Sequence, residues 1–138
     1  MFVFLHIEIR TDFGTPLKKI IRNSAALGID LNTKDDHGYT AFHLACDRGH
    51  ANVAKMIMAN SAALKIDLNT KSEFEDGETP YHSACYKGHT KVVQLMLNQS
   101  KILDIDLTAE DNFGNTGTFY APMRLVKLIK EKMPSLVE

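Results

Sequence analysis

The residues of this chain best equipped for chemistry are two histidine–cysteine–histidine sets. His43, Cys46 and His50 are spaced H-x2-C-x3-H, and His82, Cys85 and His89 repeat that spacing. Imidazole and thiolate both bind zinc, but a zinc site needs four donors converging on one point. A nucleophilic cysteine needs a setting that lowers its pKa, and both cysteines here fall in helical stretches that predict burial. Asp35 and Asp36 form a carboxylate pair on a predicted loop tip, where water keeps their chemistry ordinary. No phosphate-cradling glycine loop accompanies them. The expectation is a chain with no enzyme activity, no metal and no cofactor.

Both sets belong to a longer pattern. Thirteen residues between Gly38 and Leu68 recur in one register 39 positions later, from Gly77 to Leu107. A period of this size signals stacked units, each unable to bury its apolar face alone. Thr40 and Thr79 are placed to cap a helix by accepting an otherwise unpaired backbone N–H. Pro80 follows at the first helical turn, where its missing N–H costs nothing. Gly49 and Gly88 suit a left-handed residue that ends a short helix. A second stretch of helical period follows in each copy, through Val53, Met56 and Ile57 and through Val92, Val93, Met96 and Leu97.

The stretch from Asp35 to Cys46 resembles the opening of an ankyrin repeat, D-x-x-G-x-T-P-L-H-x-A. The second copy carries Thr79-Pro80-Tyr81-His82, and Gly49-His50 and Gly88-His89 match the family's turn between helices. The resemblance implies an all-α solenoid of helix-turn-helix units joined by hairpin loops, working as a non-enzymatic protein-binding module. It also implies that the first histidine of each unit packs beside the cap threonine and bonds neighbouring backbone. The cysteine would be a small buried side chain, and the second histidine would begin the next helix. Equivalent cysteines in stacked units should lie about 8–10 Å apart, too far for a disulfide. A reduced, intracellular setting is therefore expected, cytoplasmic or nuclear.

Two departures from the family's period of about 33 residues stand out. Extra residues are expected after the second helix, in 61–67 and 100–106, and the middle hairpin is two residues longer than its neighbours. The chain reads as one domain over residues 1–138, with a non-repeat segment at 1–13 and a partial repeat at 14–34. Full repeats follow at 35–73 and 74–110, then a divergent C-terminal repeat at 111–138. Residues 1–13 alternate as a strand does and are expected to cover the first end of the stack. In the last unit Gly117–Pro122 replaces the histidine-bearing helix, and a closing amphipathic helix follows until Pro134. About three units make a stable stack, so marginal stability is expected. Incomplete ends also invite self-association into a homodimer.

A net charge of −1 with 44% hydrophobic and 24% charged residues excludes wholesale attraction to nucleic acid or a membrane surface. The resemblance instead implies a protein partner, held by hairpin tips and the first-helix face. Mapped here, the tip positions are Asp36, His37, Tyr39, Glu75, Asp76, Glu78, Asn112, Phe113 and Asn115. The helix positions are Asp47, Arg48, Tyr86 and Lys87. Glu73, Glu75, Asp76 and Glu78 make the middle tip acidic, which complements a basic segment. Asn32 and Asn69 end the I-D-L-N returns, where family members can be hydroxylated on asparagine. A turn-stabilising role is the simpler expectation for both.

Overall fold

The computed structural model describes residues 19–73 and 76–137. The strand-like start, the Gly14–Leu17 remnant and Glu75 lie outside the described residues. Residues 19–22 are helical, and after them in chain order come α1 (Ala41–Arg48), α2 (Ala51–Ala59), α3 (Ser61–Leu64), α4 (Pro80–Lys87), α5 (Thr90–Leu103) and α6 (Met123–Lys132). Two 3₁₀ turns, Gly117–Tyr120 and Pro134–Val137, flank α6. The all-α solenoid is what forms: α1 packs with α2 and α4 with α5, stacked α1 on α4 and α2 on α5. Among the described residues, β-pairing is confined to one bridge between Glu110 and Thr116.

Helix ends follow the caps written in the chain. Thr40 Oγ1 accepts the His43 N–H at 3.2 Å, and Thr79 Oγ1 accepts that of His82 at 3.4 Å. Thr79 adds the reciprocal half, its own N–H donating to His82 Nδ1 at 3.2 Å. Gly49 and Gly88 close α1 and α4 at φ of 73° and 72°, which a side chain would strain. Every residue from Ala41 to Cys46 and from Pro80 to Cys85 is buried. These first helices are therefore the inner layer. The core continues through Val53, Ile57, Val92, Met96, Leu125 and Ile129 on the second-layer helices.

The extra residues begin as helix rather than as loop. Ser100–Leu103 continue α5, and Ser61–Leu64 form α3 directly after a one-residue break at Asn60. The reason is a closure used three times. Ser24, Ser61 and Ser100 each turn the hydroxyl back to the carbonyl three residues earlier, at 2.7–3.2 Å. A left-handed residue follows each, at Gly28, Lys65 and Asp104. The next isoleucine N–H then reaches back to the serine carbonyl, at 2.8–2.9 Å in all three. This is the six-to-one bond that ends a helix. The added length is a longer helix in one unit and a separate short helix in the other, each with its own stop.

The divergent last unit docks by different means. Gly117 lies so close to α4 that an added Cβ would sit 2.5 Å from the Tyr81 ring. Without that side chain the 3₁₀ turn seats Thr118 against the buried Tyr81 hydroxyl at 2.8 Å. Pro122 sits at the start of α6, with an extended backbone, and Pro134 stands beyond its end. Both ends of the closing helix follow the expectation. The missing second histidine has a substitute: Arg124 donates to the Gly88 carbonyl at 3.2 Å.

Candidate functional site

Three hairpin tips, α1, α4 and the Gly117–Tyr120 turn make up the surface that carries the expected partner positions. In the first tip the Asp35 carboxylate accepts the N–H groups of His37 and Tyr39, each at 2.9 Å. In the third tip Asp111 does the same for Phe113 and Asn115, again at 2.9 Å. Ser72 takes this place in the longer middle tip, and its N–H donates to the Glu78 carbonyl at 2.8 Å. Neighbouring tips are tied together: the Asn112 N–H donates to the Asp76 carbonyl at 2.8 Å. Lys71 Nζ reaches the Glu110 carbonyl at 2.6 Å. The tips form one braced row.

Histidines of the two sets serve this bracing. His43 Nε2 donates to the Glu78 carbonyl at 3.0 Å, and His82 Nε2 donates to the Asn115 carbonyl at 2.7 Å. A carbonyl can only accept, so Nε2 carries the proton and Nδ1 faces the cap threonine. Burial, aided by nearby Lys34, drops His43 to a pKa of about 4, which keeps it neutral. His89 Nε2 donates to the Asp47 carbonyl at 2.8 Å, using the space that Gly49 leaves open. Among the described residues no cluster of three or more His, Cys, Asp or Glu is arranged to hold a metal. Cys46 and Cys85 are buried free thiols. Burial raises both, Cys85 to about 12, so neither forms a thiolate at neutral pH.

The expected contact residues divide by exposure. Asp36, His37, Arg48, Asp76, Tyr86, Lys87, Asn112 and Phe113 are exposed, while Asp47, Glu78 and Asn115 are half-buried. Tyr39 is half-buried too, stacked on His43 with ring centroids 5.3 Å apart. The acidity of the middle tip is smaller than its residue types imply. Lys34 pairs with Glu73 at 3.0 Å and offsets its charge. Two residues outside the expected set join this surface, Phe119 and Tyr120. Phe119 and Tyr86 are 69% and 63% exposed, and both meet Tyr120 edge-on. Their signal was the aromatic pair inside the segment that replaces the histidine-bearing helix.

Asn32 and Asn69 do not hold their own turns. Asp30 and Asp67 do that, each accepting the asparagine N–H at 2.9 Å. The Asn32 amide instead crosses to the next unit, donating to the Lys65 carbonyl and accepting the Asp67 N–H at 2.8 and 2.7 Å. Asn69 repeats this with Asp104 and Asp106, at 2.9 and 2.8 Å. Asn69→Ala removes both bonds and should lower stability by about 1–2 kcal/mol. Urea unfolding measures this, and an unchanged midpoint would show the amide to be dispensable.

The family model for ankyrin repeats (3 copies) matches residues 5–111. No curated protein gives a significant match.

Proposed function

Since this chain belongs to the ankyrin-repeat family, whose members are generally protein–protein interaction modules and typically non-enzymatic, we propose that it binds a protein partner through its hairpin tips and the α1/α4 face. The observation that carries this reading is the division of labour across that surface. Buried polar groups brace the tips from within, while Asp36, His37, Asp76, Tyr86 and Phe113 stand outward. A preformed face loses little entropy on binding, and exposed aromatic rings bury much area with few rotatable bonds. The exposed Asp36 and Asp76 favour a segment with basic character. A reduced intracellular setting accords with two cysteines held buried and unpaired. Among the described residues no helix is long and apolar enough to cross a membrane.

Panning a random-peptide display library against the protein tests the reading. Tyr86→Ala with Phe113→Ala should weaken enriched peptides about tenfold or more, as loss of anchor residues does. Peptides that bind the double variant equally well would place the interface elsewhere. A hollow of about 320 Å³ in the final unit, lined by Thr118, Phe119, Val126 and Leu136 among others, supports a second reading. In that reading two copies associate through this end as a homodimer. Light scattering that holds at monomer mass across concentrations would remove it.

A further inference from the structure

We propose that the aromatic cluster of Tyr86, Phe119 and Tyr120 is the subsite that receives an arginine side chain of the bound segment. The inference rests on the hairpin-and-helix face being the docking surface. Tyr120 lies 6.1 Å from Tyr86 and 5.1 Å from Phe119, with ring planes at 69° and 88°. Rings set nearly at right angles make a corner in which a flat cation can lie on one face while touching another. Phe119 and Tyr86 are both largely exposed, so the corner is open to a partner.

The electrostatics of the corner select the charge. The Tyr120 hydroxyl donates to the buried Asp111 carboxylate, which two backbone N–H groups also hold. Donation to a carboxylate enriches the phenol ring in electrons, and an electron-rich face attracts cations more strongly. Glu78 adds a second negative charge within electrostatic reach of Tyr120. Guanidinium fits better than ammonium here, because it is planar, stacks on rings and sheds water more readily.

The test titrates the intact chain with N-acetyl-arginine amide and, separately, with its neutral isostere N-acetyl-citrulline amide. Ring resonances of Tyr86, Phe119 and Tyr120 are followed by NMR. The arginine probe should shift all three rings, with the citrulline probe about three- to fivefold weaker. Tyr86→Leu and Phe119→Leu keep apolar area but lose the ring, and each should weaken the arginine probe by a similar factor. Equal response to both probes, or no ring shift with arginine, would overturn the proposal. Display-selected peptides that need Tyr86 but no arginine would also overturn it while leaving the docking reading intact. Selected peptides indifferent to the whole face would overturn the docking reading and this proposal with it, whereas a failed arginine titration alone overturns only this one.

Discussion

Tyr81→Ala is expected to destabilise the chain by about 4 kcal/mol, within the range for emptying a large aromatic site in a core. Tyr81 is 1% exposed, and its hydroxyl bonds Thr118 at 2.8 Å. Its ring is also the floor on which Gly117 rests. Removing it therefore opens a cavity and unseats the 3₁₀ turn that carries Phe119 and Tyr120. Tyr81→Phe keeps the ring and removes only the hydroxyl, so about 1 kcal/mol is expected. Urea unfolding followed by far-UV circular dichroism gives both values. Hydrogen exchange in α6 should speed up first in the alanine variant, because α6 follows the unseated turn. A loss under about 1 kcal/mol for alanine would mean that the last unit is not docked through Tyr81.

Acid should destabilise the protein between pH 6.5 and about 4, through His43. The sign follows from linkage. As pH falls below 6.5 the unfolded chain takes up a proton on His43, while the folded chain resists until about pH 4. Stability from this group is thus full above 6.5, declines through the window and is constant below it. Burial is the main cause and the Lys34 charge adds to it, against opposing pulls from the Glu78 carbonyl, Asp35 and Asp47. The shift corresponds to about 3 kcal/mol at 1.36 kcal/mol per unit. Asp111 acts in a separate window, below its ordinary 3.8. Burial opposes its ionisation, but hydrogen bonds from Tyr120 and from the Asn115 and Phe113 N–H groups overcome this and lower its pKa. Urea unfolding at pH ~7 and ~4.5 measures the effect. His43→Gln should flatten the profile whatever its absolute stability. An equal slope in the variant and the wild type would assign the acid sensitivity to other groups.

These two effects meet in the proposed binding surface. Tyr81 seats the turn that bears the aromatic cluster, and His43 ties α1 to the middle hairpin. Both changes should therefore reduce partner affinity without touching a contact residue. A partner bound to the folded face would in turn raise the unfolding midpoint.

The sequence by itself determined the unit: Thr40 and Thr79 as caps, Pro80 in the first turn, Gly49 and Gly88 as stops, and both cysteines in the core. Each of these is settled by residues within a few positions, so local stereochemistry and apolar spacing suffice to read it. The same holds for α6, whose apolar stripe and flanking prolines are contiguous in the chain. The serine closure is local too, yet serine signals a helix start or a turn more often than a continuation, so its spacing alone does not announce it. What only the tertiary structure decided lies between units. The asparagine amides of Asn32 and Asn69 hold the next unit, some 35 residues on, rather than their own turns. Lys34 cancels part of the acidity that the middle tip appeared to have, across a separation of 39 residues. Arg124 takes the place of the missing histidine, and Phe119 and Tyr120 join Tyr86 only because Gly117 admits the turn against Tyr81. A hydrogen bond between distant residues depends on distances that stacking creates, and no spacing along one chain encodes them directly.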